Sequence, residues 1–274
     1  MTLGLFKCDG EIMSVSNGFG LLAKAEGRPL HYRFFKKQRH RFNDLIARNS
    51  LISNDPVLCP STFDWAAPLR REWRVIRDEA LSIYSHRSAI PPLREISADH
   101  RRIMTDNSWR SFFLFGYGNR IEPNISRAPR TSELVSQIPG LNSAFFSILA
   151  PGATIRPHRG VTKAFVTAHL GLVVPRERER LWMRVDDERL YWKEGEWLVF
   201  DDTYEHEVCN DTDETRIVLL CQVGRPLKAP GSWLASGALG YIRRSQFVRE
   251  AMSNLDTWED AFARAERELS AHQS

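Results

Sequence analysis

The most regular pattern in the chain is a series of short apolar runs between positions 142 and 223, separated by Pro, Gly and acidic residues. Runs of strand length that are bounded by turn residues at regular intervals are typical of a β-sandwich or barrel. Gly195, between two glutamates, marks the turn before the fifth run. The predicted strands are SAFFSILA, FVTAHLGLVV, LWMRV, RLYWK, EWLVFDD and RIVLLCQV, and NSWRSFFLFGY at 107–117 predicts a further buried strand.

Apolar residues at helical spacing flank this β-rich segment. Thr131 to Ile138 predicts a short helix with Thr131 as its N-cap. The tail from Phe247 to Leu269 predicts a long helix that packs along the sheet. Upstream, one helix with Pro68 in its first turn is predicted from the spacing of Leu69, Trp73, Ile76, Ala80 and Ile83.

The length of 274 residues is enough for one large domain or two small ones. The pattern favours a β-rich core domain over residues 71–228, an N-terminal extension over 1–70 that packs on it, and a helical tail over 229–274. With 42% hydrophobic and 26% charged residues, the composition is that of a globular protein and excludes disordered, collagen-like and coiled-coil classes.

Three features indicate a protein of the cytoplasm. The apolar stretches are much shorter than the ~20 residues that span a bilayer. Charges at Lys7, Asp9 and Glu11 interrupt what would be the apolar part of a signal peptide. The cysteines are far apart and form no C-x-x-C pair, as expected for reduced thiols: Cys8, Cys59, Cys209 and Cys221.

A basic and aromatic segment, YRFFKKQRHRFNDLIAR, runs from Tyr32 to Arg48 and has two interpretations. One is a surface for anionic lipid or nucleic acid. The other is an amphipathic helix with Phe35, Phe42 and Leu45 buried and its charges in solvent. Because Lys and Arg number 38 against 34 for Asp and Glu, the net charge of +4 identifies no partner by itself. A nucleic-acid partner is not expected, and a peripheral membrane contact through residues 32–48 remains open.

Three histidines lie inside the β-rich segment: His158, His169 and His206. A neutral imidazole is a common ligand of divalent iron, copper and zinc. His158 and His206 are 48 positions apart and come from different predicted strands, which makes a metal site workable. The pair alone is weak support, since histidines on strands are more often structural.

The alternation of residues along two predicted strands indicates that one of them carries a buried cation, Arg216. In FVTAHLGLVV, His169 shares a face with Phe165, Thr167 and Gly171. In TRIVLLCQ, Arg216 shares a face with apolar residues, so its guanidinium needs an anionic partner. That partner is either a ligand carboxylate, which Arg binds through two parallel hydrogen bonds, or one of the protein carboxylates Asp201, Asp202 and Glu205.

These motifs resemble the aspartyl/asparaginyl β-hydroxylase family of Fe(II)- and 2-oxoglutarate-dependent oxygenases. The resemblance rests on FSILAPGATIRPHRG, HLGLVVP, YWKEGEWLVFDDTYEHEV and TRIVLLCQVGRP, between positions 146 and 226, and continues more weakly back to Trp73. It implies a mainly β fold with a double-stranded β-helix core, of the jelly-roll or cupin-like type, flanked by α-helices.

The resemblance also implies roles for individual residues. His158 and His206 match the two Fe(II) ligands. Arg216 matches the arginine that pairs with the distal carboxylate of 2-oxoglutarate, and Ser147 matches a hydroxyl that assists it. His169 matches a histidine that contacts this co-substrate near the metal, where O2 also binds. Apart from the resemblance, Asp201 and Glu205 have two interpretations: one of them orients His206 through its other ring nitrogen, or both are ordinary turn carboxylates on a solvated loop.

The chain departs from common iron oxygenases at Gly160, where eukaryotic aspartyl hydroxylases of this family also have glycine, and it departs from the family pattern at Thr167 and Phe165. Gly160 occupies the place at which many iron oxygenases carry a carboxylate ligand. Thr167, also expected to face the co-substrate, stands where the family usually has an arginine. Phe165 stands where aspartyl hydroxylases carry another arginine, which is linked to the acidic substrate. The pocket wall is therefore less cationic, unless Lys163 or Arg159 compensates.

The resemblance predicts an enzyme that hydroxylates an unactivated C–H bond while 2-oxoglutarate is decarboxylated to succinate. The first expectation for the substrate is an amino-acid side chain, free, peptide-borne or carrier-bound. The alternatives are the acyl chain of a membrane lipid, halogenation because of Gly160, and a binding module without catalysis.

Overall fold

Two antiparallel β-sheets form the centre of the molecule. The computed structural model of the chain describes residues 30–96 and 101–273. In chain order the strands are β1 Val57–Leu58, β2 Trp109–Gly116, β3 Asn119–Arg120, β4 Leu141–Leu149, β5 Thr154–His158, β6 Phe165–Val173, β7 Leu181–Val185, β8 Glu188–Leu190, β9 Trp197–Phe200, β10 His206–Asn210 and β11 Arg216–Gly224. The large sheet has the order β1-β9-β6-β11-β4-β2-β3, and the small sheet has the order β5-β10-β7-β8.

Helices precede and follow these sheets. Their bounds are α1 Leu30–Arg48, α2 Ala66–Arg71, α3 Trp73–Tyr84, α4 Leu93–Ile96, α5 Glu122–Arg127, α6 Pro129–Ser136, α7 Gly231–Arg243 and α8 Gln246–Gln273. No helix of the described ranges has both the length and the apolarity that a membrane crossing requires. The order of elements confirms the expected mainly β, jelly-roll type of core with flanking helices.

The core has two layers, and strand alternation assigns residues to them. Val218 of β11 packs between the sheets with Ile155 and Met183 of the small sheet. Its neighbour Leu219 points the other way, into a layer that the helices cover and that includes Ile76 of α3. The predicted alternation along β6 and β11 is thereby confirmed. It directs Arg216 and His169 into the space between the sheets, where the small sheet covers them.

The predicted single helix before the core is wrong, because the chain forms two helices that meet at Glu72. Glu72 has φ −95° and ψ 10°, outside the helical region, and separates α2 from α3. The predicted N-cap at Thr131 is also wrong, since the first turn of α6 begins at Pro129, after Ala128. The hydroxyl of Thr131 donates instead to Glu79 of α3, which also accepts from the backbone N–H of Thr131. A carboxylate from another helix thus replaces the local cap.

The C-terminal part of α1 is turned differently from the predicted amphipathic helix. Ile46 is completely buried, whereas Leu45 is 36% exposed, because Ile46 faces Ala164 and Ala235. The side chain of Phe35, Cys8 and the first 29 residues of the predicted N-terminal extension lie outside the described residues. The predicted run RLYWK is a strand only through Leu190, and Tyr191 lies beyond its end.

Candidate active site

The two candidate metal ligands lie side by side on neighbouring strands of the small sheet. His158 ends β5 and His206 begins β10. The antiparallel register of these strands pairs the two residues directly. Their ring centroids are 4.1 Å apart, so a single ion can be reached from both side chains.

Backbone carbonyl groups hold both imidazoles through Nδ1. The Nδ1–H of His158 donates to the carbonyl oxygen of Arg156 at 2.8 Å. The Nδ1–H of His206 donates to the carbonyl oxygen of Tyr204 at 3.0 Å. Because a carbonyl oxygen only accepts, Nδ1 of each ring carries the proton and Nε2 keeps its lone pair. A ring fixed through one nitrogen, with a lone pair on the other, has the arrangement of a metal ligand.

The surroundings of both rings favour the neutral form that binds metal. Burial, together with the neighbouring His206, lowers the pKa of His158 to about 4. Burial likewise lowers the pKa of His206 below its ordinary value. A metal ion that binds near pH 7 therefore displaces no proton from either ring.

The carbonyl of Tyr204 performs the orienting role that one interpretation gave to Asp201 or Glu205. Asp201 is completely buried and accepts hydrogen bonds from Lys163, Arg225 and the hydroxyl of Thr203. Arg225 is itself 4% exposed, so the ion pair it forms with Asp201 is a buried one. This cluster fixes the loop between β9 and β10 on which His206 depends.

The cations that could compensate for Phe165 and Thr167 are both engaged. Lys163 is bound to Asp201 and its side chain is only 13% exposed. Arg159 lies 3.9 Å from Glu205, which is also paired with Arg184 at 3.4 Å. The pocket wall is thus as poor in available positive charge as the sequence indicates.

Arg216 is buried, and within residues 39–96 and 101–268 no carboxylate neutralises it. Its side chain is 1% exposed, and its Nη1 donates to the carbonyl and hydroxyl oxygens of Ser147 at 3.2 and 3.3 Å. Its Nε has no hydrogen-bond partner. Burial lowers the pKa of Arg216 to about 9, and no carboxylate opposes that shift. Among the described residues no carboxylate pairs with Arg216, so the ligand carboxylate considered from the sequence stays the prediction.

Ser147 has a proton available for the same ligand. Its hydroxyl oxygen accepts from Arg216 and also from the indole N–H of Trp109 at 2.9 Å. Because a hydroxyl accepts two hydrogen bonds and donates one, its own proton remains for an acceptor. The residue is 1% exposed, so water does not reach it freely.

His169 and Trp192 add further buried polar atoms that lack partners. Both ring nitrogens of His169 lack a hydrogen-bond partner among the described residues, and so does the indole N–H of Trp192. The two rings are nearly parallel at 6.0 Å, and the Arg216 guanidinium lies 5.1 Å from the Trp192 ring. Burial, with Arg216 and His206 nearby, lowers the pKa of His169 well below its usual range. His169 is therefore neutral, with one donor and one acceptor.

This donor set fits a ligand that is rich in carboxylate oxygens. Buried donors without acceptors are rare in native proteins, yet three residues with such atoms gather between the sheets: His169, Trp192 and Arg216. A dicarboxylate in this space would satisfy them, and the two imidazoles fit a divalent transition metal. Within residues 39–96 and 101–268, no third His, Cys, Asp or Glu completes a metal-binding group.

The space beside Gly160 is filled by a carboxyl group from another loop. A Cβ built on Gly160 would lie 2.2 Å from Oδ1 of Asp202, and the Gly160 N–H donates to the Asp202 carbonyl. The hydroxyl of Thr167 donates to Oδ2 of Asp202 at 3.2 Å. Burial and the charge of Asp201 raise the pKa of Asp202 to about 7. Thr167 is thus engaged with Asp202, and its predicted contact with the co-substrate stays a prediction.

Comparison with known proteins identifies the family of the chain. Residues 70–226 match the aspartyl/asparaginyl beta-hydroxylase family. The chain belongs to this family.

Two relatives illustrate the range of the family. The chain is 38% identical over 230 residues to the ornithine lipid ester-linked acyl 2-hydroxylase of Rhizobium tropici. The matched region covers 84% of the chain and 82% of that protein. It is 31% identical over 167 residues to human aspartyl/asparaginyl beta-hydroxylase, and this matched region covers 59% of the chain and 21% of the human protein. Among solved structures, a Cupin_2 domain from Enterobacter cloacae aligns with 42% of the chain and 96% of its own length, at 15% identity and a TM-score of 0.30.

Membership of this hydroxylase family makes the protein an enzyme and confirms the resemblance found in the sequence. Sequence reasoning missed two buried indoles at the site. Trp109 and Trp192 each lie in an apolar run, where a tryptophan is ordinarily a core residue. The sequence analysis considered Asp202 only as a partner of Arg216. The two consecutive aspartates, Asp201 and Asp202, were the one sequence signal that this loop carries buried carboxyl groups.

We expect Gly160→Ala to lower hydroxylation about tenfold with little change in the melting temperature. The new methyl group would overlap Oδ1 of Asp202, and the flexible carboxyl group would have to move away from its place beside residue 160. Succinate release measures the rate. Gly237→Ala is the matched control, because nothing lies within 4 Å of a Cβ at that position. Equal rates for both variants would show that the position of Asp202 does not matter.

Proposed function

We propose that the chain is an Fe(II)- and 2-oxoglutarate-dependent hydroxylase of an ester-linked acyl chain in an aminoacyl lipid. The observation that carries the cofactor assignment is the buried Arg216, which has no protein anion and lies beside neutral His169. The pair of imidazoles with Nε2 available supports the metal. The net reaction consumes a C–H bond, O2 and 2-oxoglutarate and yields the alcohol, succinate and CO2.

Each residue has a distinct task in this proposal. The bound iron and co-substrate would supply the oxidising chemistry. His158 and His206 hold the metal, and their carbonyl partners fix the rings. Arg216 and Ser147 bind the distal carboxylate of 2-oxoglutarate, which would satisfy the guanidinium and the hydroxyl proton together. The indole N–H of Trp192 is a further donor to this co-substrate.

The electrostatics of the pocket favour an acyl chain over an acidic side chain. Phe165 is buried and uncharged, Thr167 is bound to Asp202, and Lys163 is neutralised by Asp201. An aspartyl substrate would have to be desolvated without a compensating cation. The relative that spans most of the chain is named an acyl 2-hydroxylase, which supports oxidation at the carbon next to the ester carbonyl.

Halogenation is disfavoured by the contents of the space beside Gly160. A halide that replaces the missing ligand needs an open position, and the carboxyl group of Asp202 fills the space next to the glycine. A binding module without catalysis is also disfavoured, because such a module has no need for two neutral imidazoles that each keep the Nε2 lone pair for a metal. Hydroxylation of an amino-acid side chain remains the second candidate, since human aspartyl/asparaginyl beta-hydroxylase is a relative.

The proposal is tested by incubating the protein with Fe(II), 2-oxoglutarate and either an ornithine-type lipid in mixed micelles or an aspartyl peptide. We expect a gain of one oxygen atom on the ester-linked acyl fragment, with 18O taken from 18O2 and one succinate released per product. Mass spectrometry of the hydrolysed acyl chain locates the hydroxyl group. His158→Ala is the inactive control.

Two outcomes would overturn the lipid assignment. One is oxygen incorporation into the peptide with none into the lipid. The other is a chloride-dependent chlorinated product in place of the alcohol. A wild-type protein that shows no visible absorption band on anaerobic titration with Fe(II) and 2-oxoglutarate would contradict the cofactor assignment itself.

A further inference from the structure

Helix α7 presents an apolar face to solvent within the described part of the molecule. Trp233 is 73% exposed, Leu234 44% and Tyr241 47%. These positions lie within about 100° of one another on a helix of 3.6 residues per turn. Ala235, on the opposite side, is 5% exposed and packs inward. From its start to Ile242 the helix carries no charged residue, so this face is unlike that of an ordinary surface helix.

The end of α1 and the start of α7 form one fixed surface. Ile46 of α1 packs with Ala235 of α7 in a small buried cluster. A Cβ at Gly231 would lie 2.4 Å from the Cβ of Asn49, so only glycine permits this close approach. The carbonyl of Asn49 also accepts from the N–H of Lys228. We call the exposed residues of 39–51 and 231–244 the α1–α7 surface.

The α1–α7 surface is basic as well as apolar. Residues 39–51 contain three arginines, Arg39, Arg41 and Arg48, and a single acidic residue, Asp44. Residues 231–244 contain Arg243 and Arg244 and no acidic residue, and Lys228 lies just before them. Arg244 lies eleven positions after Trp233, three helical turns on, and is exposed. Exposed Trp, Tyr and Leu beside Arg and Lys are the composition of helices that lie in the interface of an anionic bilayer.

The α1–α7 surface is continuous with the loop that follows His158. The N–H of Lys163 donates to Oδ1 of Asn43 on α1 at 2.9 Å. Ala164 completes the buried cluster between the two helices. Val161, in the same loop, is 58% exposed. A partner bound on this surface would therefore contact the loop that begins at the metal ligand.

We propose that the α1–α7 surface docks on an anionic lipid bilayer, with Trp233 and Leu234 inserted at the level of the headgroups. The inference rests on the proposed function in one respect: if the substrate is a lipid, docking would deliver a bilayer lipid to the site beside the 159–163 loop. Apolar insertion supplies affinity, and the basic residues of both helices select anionic lipid. The chain then needs no spanning helix to reach an acyl chain.

Flotation of the full chain with vesicles tests the docking. Vesicles of phosphatidylglycerol and phosphatidylcholine are compared with phosphatidylcholine alone. Trp233→Ser combined with Leu234→Ser is expected to weaken binding to the anionic vesicles roughly 30-fold, from the apolar area lost. The matched control, Val75→Ser with Leu81→Ser on α3, changes side chains of comparable exposure, 42% and 41%, and is expected to bind within about twofold of wild type.

A second pair of variants tests the charge. Arg41→Glu with Arg244→Glu is expected to reduce binding to anionic vesicles about tenfold, since each Lys or Arg near such a surface contributes to binding. Binding to phosphatidylcholine alone is expected to stay unchanged. The same loss is expected for the wild type in high salt, because salt screens the attraction. Equal binding of this pair and the wild type to anionic vesicles would contradict electrostatic selection.

Turnover separates this inference from the proposed function. The Trp233→Ser and Leu234→Ser variant is expected to hydroxylate a soluble short-chain lipid analogue at the wild-type rate and a vesicle lipid more slowly. Undiminished vesicle binding by this variant would overturn the inference even if the lipid is the substrate. The inference would also be overturned if the wild type bound no vesicles and sedimented as a dimer that Trp233→Ser converts to a monomer. This result would assign the apolar face of α7 to a second copy of the chain.

Discussion

We expect His206→Ala to abolish stoichiometric metal binding and to lower hydroxylation by at least about 10³-fold. The protein supplies only two imidazoles for the metal within its described residues, so the loss of one leaves a single ligand. Its ring is fixed through Nδ1 by the carbonyl of Tyr204, which leaves the Nε2 lone pair for the metal. Equilibrium dialysis with Co(II) or Fe(II) under anaerobic conditions gives the number of ions bound per chain.

The matched control is His40→Ala, which removes an exposed imidazole from α1. It should bind metal like the wild type. Because His206 is 7% exposed, a thermal melt is needed to verify that the alanine variant is folded. A folded His206→Ala protein that binds one ion with wild-type affinity would show that the pair of His158 and His206 is not the metal site.

Local sequence patterns determined which side of each strand faces the site. Alternation grouped His169 with Thr167 on one face of β6 and Arg216 with Val218 on one face of β11, and the structure shows that both faces point between the sheets. Alternation follows from the geometry of a single strand and needs no knowledge of its neighbours. For the same reason, the apolar runs sufficed to predict a β-sandwich or barrel, and the resemblance to the family specified the jelly-roll type.

Contacts between distant segments could not be predicted in this way. The juxtaposition of His158 and His206 depends on the register of β5 against β10, two short strands that carry little apolar pattern. Only the resemblance to a family linked these histidines before the structure. The cap that Glu79 provides for α6 and the place of Asp202 beside Gly160 likewise depend on tertiary packing, which overrides local preference.

The site also shows a conflict between function and stability. A buried guanidinium without an anion costs free energy, and so do indole and imidazole groups that lack partners. Such costs are common where a protein must bind a charged ligand. The difference between Arg216 and Arg225 makes this conflict measurable, because both are buried arginines and only Arg225 has a carboxylate beside it.

We expect Arg216→Met to stabilise the ligand-free protein by about 1–3 kcal/mol, because it replaces an uncompensated buried charge with an apolar side chain of similar length. The same change should weaken the binding of 2-oxoglutarate at least about 100-fold, since the distal carboxylate would lose its charged partner. Thermal melts with and without the co-substrate measure both effects. The wild type should melt at a higher temperature when 2-oxoglutarate and metal are added, and the variant should not respond.

Arg225→Met is the control that separates burial from pairing. Arg225 is 4% exposed and donates to Asp201, so its removal would leave a buried carboxylate with Lys163 as its remaining cation. We expect this variant to lose about 3–5 kcal/mol of the free energy of unfolding. Opposite signs for the two arginines would identify Arg216 as the one that a ligand neutralises. A loss of similar size for Arg216→Met would mean that the protein itself compensates that charge, and the co-substrate assignment would fail.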